Sequence, residues 1–207
     1  MRFISIFLLV ISNISVGLTQ EFEDVYKKGI EKLKQGNYTG AIKDLDEAIK
    51  ANNQSAGAYQ KRALAKRKIG NLQGAVADYT SAIRLNSNLA DAYLGRAQTK
   101  IKVGEYESAI ADYNTVLQYK PNHPKLTEVI YNRGLAKLKL KNYAEALTDF
   151  QTVLKNKPEH IKSYTNIAFI KYQQGQIRSA CADWLRARDL GSERAKNNAN
   201  KACQCCM

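Results

Sequence analysis

Residues 131–150 read Tyr-Asn-Arg-Gly-Leu-Ala-Lys-Leu-Lys-Leu-Lys-Asn-Tyr-Ala-Glu-Ala-Leu-Thr-Asp-Phe, and this stretch has echoes along the chain. Gly134 has small counterparts at Gly29, Ala63, Ala97 and Ala168, at steps of 34, 34, 37 and 34. Ala146 is matched by Ala41, Ala75, Ala109 and Ala180, and Phe150 by Leu45, Tyr79, Tyr113 and Trp184. Val153 keeps the same steps with Ala48, Ala82, Val116 and Ala187. Small residues recur where helices must approach closely, and large ones where a gap must be filled. Self-similarity at this period marks a stacked helical array.

Each period reads as two helices. Phe22, Val25, Gly29 and Leu33 share one helical stripe, Gly36-Asn37-Tyr38 breaks it, and Ala41, Leu45, Ala48 and Ile49 form the next. Equivalent breaks fall at Gly70, Gly104 and Gly175. The fourth has Lys141 instead, which predicts a turn without glycine's left-handed option. Units end near Pro121 and Pro158, or at Asn53, Ser87 and Ser192, residues that stop or start helices.

These columns, with Tyr131-Asn132-Arg133-Gly134 and Tyr143-Ala144-Glu145-Ala146-Leu147, resemble the tetratricopeptide repeat family over residues 21–191. The resemblance implies an all-α, right-handed α-solenoid of five helix-turn-helix units, 22–55, 56–89, 90–123, 127–160 and 161–192, plus a C-terminal capping helix and Cys-rich tail over 192–207. The first unit departs most, with Val25 where a large aromatic is usual and Asn53 in place of proline. Three extra residues around His123-Pro124-Lys125-Leu126 are expected to open a small kink between a three-repeat and a two-repeat block. In the cap, Ser192 is the expected N-cap, and Ala195, Ala199, Ala202, Cys203 and Cys206 share one face.

Composition agrees with a folded chain. Of 207 residues 44% are hydrophobic and 25% charged, enough for a core, while three prolines and twelve glycines argue against a turn-rich β protein. Residues 1–20 have the layout of a secretory signal peptide: Arg2, an apolar run from Ile4 to Ile11, then the small residues Ser15-Val16-Gly17. The run is too short to span a bilayer, so no transmembrane helix is expected in the mature chain. A secreted, periplasmic or cell-envelope location follows as the expectation.

The net charge of +13, from 32 Lys and Arg against 19 Asp and Glu, favours acidic partners, anionic membrane surfaces or nucleic acid. Two columns divide that charge. Lys32, Lys66, Lys100, Lys137 and Lys171 recur in every first helix, and Asp44, Asp78, Asp112, Asp149 and Asp183 follow twelve residues later. Lys28, Arg62, Arg96 and Arg133 precede the first four lysines by one helical turn. An interhelical ion-pair ladder is the favoured reading, a ligand-binding lysine stripe the alternative.

A second column, Lys34, Lys68, Lys102 and Lys139, ends at Gln173. The family resemblance implies that first helices line a concave groove. The expected lining is Tyr26, Ile30, Leu33 and Lys34 from the first unit, Leu64, Arg67 and Lys68 from the second, and Leu94, Gln98, Ile101 and Lys102 from the third. The fourth unit adds Tyr131, Leu135, Leu138 and Lys139, and the fifth Phe169 and Tyr172 with Gln173. An apolar, aromatic floor with a rim of unpaired positive charge suits an extended protein or peptide segment carrying acidic or aromatic residues. The family's clamp for chaperone C-termini is not matched, because Tyr26 and Ile30 stand where it needs lysine and asparagine.

All four cysteines lie near the C-terminus, at Cys181, Cys203, Cys205 and Cys206, and allow three pairings. A Cys181–Cys203 bond would staple the cap to the last repeat. The phrase Ala180-Cys181-Ala182-Asp183-Trp184, followed by Leu190-Gly191, resembles the last repeat of small envelope-associated proteins of this type and supports that pair. A metal or redox site at Cys205 and Cys206 is disfavoured, since neither His123 nor His160 is near and no zinc spacing is matched. No phosphate loop, nucleophile elbow or metalloprotease motif occurs, so the chain reads as a non-enzyme without a cofactor. The expected function is an exported protein-interaction scaffold. Nucleic-acid or anionic-polymer binding, with nucleic acid disfavoured as a partner, and an oligomerising spacer are the alternatives.

Overall fold

The computed structural model describes residues 20–203, and the described residues fold entirely as helices and turns. They are α1 (20–34), α2 (Tyr38–Ala51), α3 (Ala56–Lys68), α4 (Leu72–Leu85), α5 (Ala90–Val103), α6 (Tyr106–Tyr119), α7 (Leu126–Lys139), α8 (Tyr143–Asn156), α9 (Ile161–Gln173), α10 (Ile177–Asp189) and α11 (Glu193–Ala202). One compact unit runs up to Glu105 and a second begins at Tyr106. Within each, helices pack in chain order: α2 on α3, α3 on α4 and α4 on α5, then α6 on α7 and onward to α11. This is the all-α stacking of helix pairs that the columns imply. The signal segment, Cys205 and Cys206 lie outside the described residues.

The filling column is the core. Leu45 and Phe150 are fully buried, and Tyr79 and Trp184 nearly so. Each fits because a small residue faces it. A Cβ on Gly134 would stand 2.9 Å from the Phe150 ring, and one on Gly95 would run into the Tyr79 ring. Backbones therefore approach more closely here than any larger side chain allows.

Turns between the helices of a pair share one geometry. Asn37 N–H reaches the Lys32 carbonyl at 2.9 Å, and Asn71 and Asn142 do the same to Lys66 and Lys137 at 2.9 Å. The bond closes only over a left-handed residue, supplied by Gly36 and Gly70 at φ 76° and 83°. Lys141 adopts it too, at φ 61°. The expectation that the fourth turn lacks the left-handed conformation is thus corrected: the hydrogen bond imposes it on a lysine.

The charge columns form the ladder where they are described. Lys32 pairs with Asp44 at 2.7 Å, Lys66 with Asp78 at 2.8 Å, Lys137 with Asp149 at 3.1 Å and Lys171 with Asp183 at 2.6 Å. Arg62 and Arg133 add a second cation to Asp78 and Asp149. They also reach back to the preceding repeat, Arg62 to Asp46 at 2.6 Å and Arg133 to Asn114 at 2.7 Å, as Arg96 does to Thr80 at 3.1 Å. The hydrogen bond to Asp78 drives the Arg62 pKa further upward.

The insertion falls inside the second unit. His123 Nδ1 accepts the Lys125 N–H at 3.0 Å, its carbonyl accepts the Leu126 N–H at 2.9 Å, and α6 and α7 pack together inside the second unit. The unit boundary lies earlier, between the two helices of the third repeat. At the end of the chain, Ser192 Oγ caps α11 by accepting the Ala195 N–H at 3.2 Å. Ala195 and Ala199 are buried against the last repeat, and a Cys181–Cys203 disulfide joins α10 to the end of α11, with Cα atoms 5.7 Å apart.

Three stability outcomes follow. Lys141→Gly relieves a left-handed lysine and should raise unfolding free energy by about 0.5–1 kcal/mol in urea titration. Asp149→Ala leaves the largely buried Arg133 without its anion and Lys137 with only the exposed Glu145, and should cost about 3–5 kcal/mol. Asp44→Ala should cost clearly less, because Lys32 is 37% exposed and can be hydrated instead.

Candidate functional site

On α7, Tyr131, Leu135, Leu138 and Lys139 recur at intervals that put them on one helical face. The inner sides of Tyr131, Leu135 and Leu138 pack on the cluster that holds Phe150, Ile167 and Ile170. Leu135, Leu138 and Lys139 face a cleft of about 480 Å³ that α9 borders with Asn166, Phe169 and Gln173, and Tyr131 does not line it. Phe169 is 40% exposed, an apolar ring held open to solvent. Leu135, Leu138, Lys139, Phe169 and Gln173 are therefore brought to one place. Tyr172 is exposed as well but lies against Trp184, with ring centroids 5.4 Å apart, and does not line the cleft.

The cleft has walls that sequence reasoning missed. Arg194 and Asn198 enter from α11, and Lys141 and Tyr143 from the turn into α8. The signal was present to some extent, because Arg194 and Asn198 are four residues apart and share the face beside buried Ala195 and Ala199. Three cations, Lys139, Lys141 and Arg194, line this cleft without any carboxylate. None of the three has an ion-pair partner among the described residues.

Tyr131 instead lines a second cleft of about 540 Å³, which Lys125, Glu128, Lys157, His160 and Lys162 also border. Its hydroxyl accepts the Asn166 amide N–H at 3.2 Å, and its ring meets His160 edge-on at 4.8 Å. Burial raises the Tyr131 pKa, and the Asn166 hydrogen bond and the Arg194 charge oppose that rise. His160 caps α9 by accepting the Ser163 N–H at Nδ1. Burial pushes its pKa below the ordinary value, and the charges of Lys157 and Lys162 push the same way.

In the first unit the expected residues are more closely held. Tyr26 and Leu33 pack on Ala41, Leu45 and Ala65, and Tyr26 stacks on Phe22 at 5.4 Å. Burial, and then Glu23, raise the Tyr26 pKa. Ile30, Leu64, Gln98 and Ile101 are half-buried, and Lys34 and Lys68 are exposed. Three residues depart from the expected lining. Leu94 is 3% exposed and so withdrawn from the surface. Arg67 is drawn towards Tyr79, where burial raises the tyrosine pKa and the Arg67 charge opposes that rise. Lys34 sits 3.7 Å from Glu31 and does not belong to an unpaired rim.

Three tetratricopeptide repeat family models match the chain, over residues 26–90, 90–123 and 127–160. The chain belongs to the tetratricopeptide repeat family, whose members are generally non-catalytic scaffolds for protein–protein interaction. Among solved structures, MamA (residue 41 to the end) from Desulfovibrio magneticus RS-1 is similar, with TM-score 0.76 and 18% identity over 82% of this chain and 94% of that one. YrrB, described as a TPR protein with an unusual peptide-binding site, is similar with TM-score 0.78 and 16% identity over 89% and 97%. PilF of Pseudomonas aeruginosa follows with TM-score 0.70 and 20% identity over 86% and 81%. A search of curated proteins returned no match. No helix among the described residues is long and apolar enough to cross a membrane.

The cap at His160 carries a pH signature. Its folded-state pKa lies below its unfolded value near 6.5, so the unfolded chain binds the proton more readily. The stabilisation is complete above about pH 6.5 and is lost as pH falls through the lowered value. His160→Asn keeps an acceptor at the cap and removes that titration. Melting temperatures measured from pH 8 to 5 should fall less steeply for the variant than for the parent chain.

Proposed function

We propose that this chain is an exported interaction scaffold that holds an extended acidic, aromatic-bearing peptide segment against its first helices. The observation that carries the reading is the cleft between α7, α9 and α11: an apolar floor of Leu135, Leu138 and Phe169 beneath three cations, with no carboxylate in the lining. Buried aromatic contacts supply affinity in such a site, and rim charges speed encounter with an oppositely charged partner. YrrB lends general support as a similar fold with a peptide-binding site.

Export is supported by residues 1–20, which have the signal-peptide layout, and by the Cys181–Cys203 pair, which suits an oxidising compartment. Against a polyanion role, the ladder takes up Lys32, Arg62, Lys66, Arg133, Lys137 and Lys171 in ion pairs. That share of the positive charge is not free to contact phosphates.

The test is fluorescence anisotropy with a twelve-residue peptide alternating Glu with Phe and Leu, against the same peptide with Lys for Glu and against single-stranded DNA. The acidic peptide should bind best, and Lys139→Glu and Lys141→Glu combined should weaken it about fivefold, at roughly 0.5 kcal/mol per rim charge. Preference for the DNA, with a steep loss of affinity in salt, would favour the polyanion role instead. Intact mass from the native host should show the loss of 17 to 20 N-terminal residues, matching the span from Gly17 to Gln20.

A further inference from the structure

We propose that α11 belongs to the ligand site as well as serving as a cap: Arg194 binds a carboxylate of the bound peptide, and the Cys181–Cys203 disulfide holds the helix that presents it. The inference rests on the peptide-binding reading above and names its anchor.

The helix has two working faces. Ala195, Ala199 and Cys203 are buried against the last repeat, and one residue before each alanine stand Arg194 and Asn198, which line the cleft. Several other arginines are already occupied. Arg62 and Arg133 serve the ladder, and Arg188 pairs with Asp189 at 2.7 Å. Arg194 has no ion-pair partner among the described residues, and its neighbour Glu193 lies 3.6 Å from Lys196. An exposed guanidinium beside an apolar floor can take a carboxylate through two parallel N–H···O bonds, which a lysine cannot offer. The adjoining apolar or aromatic side chain of the peptide then rests on Phe169.

Placement of that guanidinium depends on the crosslink. The buried face of α11 is made of alanines, which bury little area and hold a ten-residue helix weakly. Ser192 fixes the start of the helix and Cys203 fixes its end. Without the disulfide the far end can lift, and Arg194 and Asn198 leave the cleft with it.

The experiment measures anisotropy with the Glu-, Phe- and Leu-containing peptide in two forms, with a free and with an amidated C-terminus. Arg194→Gln should weaken binding tenfold or more, the range for a lost charged hydrogen-bonding partner. Arg194→Lys should recover some of it, and Lys196→Gln on the same helix should stay within about twofold. Cys203→Ser should reproduce the Arg194→Gln loss, and the double variant should lose little more. Loss confined to the free-carboxylate peptide assigns Arg194 to a chain terminus; equal loss in both assigns it to a Glu side chain. If the parent chain binds but Arg194→Gln matches Lys196→Gln, the inference is overturned and the peptide-binding reading stands. Failure of the parent chain to bind either acidic peptide overturns both. Arg194 is exposed, so its variants stay informative even if Cys203→Ser does not fold.

Discussion

A carboxylate as deeply placed as Asp149, with 2% of its surface exposed, is tolerated only if cations meet it from fixed directions. Lys137 and Arg133 do so from the partner helix of the same repeat, and Arg133 continues to Asn114 in the repeat before. One guanidinium thereby ties three helices. The same arrangement recurs at Asp78 through Lys66, Arg62 and Asp46. Hydrophobic filling sets how closely the helices approach. The ladder sets their register, because an ion pair between buried groups admits few positions where a greasy contact admits many.

The ladder also decides which face of α3 and α7 is left exposed. Two residues along an α-helix turn the side chain by about 200°. With Lys66 and Lys137 committed to the partner helix, Lys68 and Lys139 must point the opposite way. Structural and available charge are thus separated by helical geometry within three residues of sequence. The fifth repeat has Ile167 where the others have Arg or Lys, so its aspartate Asp183 is met by Lys171 alone among the ladder cations described. There the chain adds a covalent link, Cys181 to Cys203, and a helix that covers the open end.

What repetition announces was legible in the sequence. Five copies of one column expose the small residues, the core aromatics and the ladder, since chance does not keep an offset of twelve. Features that occur once were harder to read. Arg194 belongs to a helix with no counterpart, and its place in the cleft emerges only when α11 borders it together with α7 and α9. Leu94 has the spacing of a surface residue, but its burial is a property of its neighbours in space. Lys141 misleads in another way: residue type reports a preference for φ, whereas the Asn142 to Lys137 hydrogen bond dictates it. The His123 insertion alters the period, yet α7 still packs against α6.

The central claim is that ligand meets the face of the first helices that the ladder leaves exposed, closed off by α11. It is tested most directly by photo-crosslinking an acidic, aromatic peptide carrying a benzophenone group and mapping the products by mass spectrometry. The account predicts adducts on Leu135, Leu138, Phe169 and Asn198, the apolar floor and the α11 wall of the cleft. Adducts concentrated on the exposed faces of α8 and α10, or spread evenly over the chain, would contradict it.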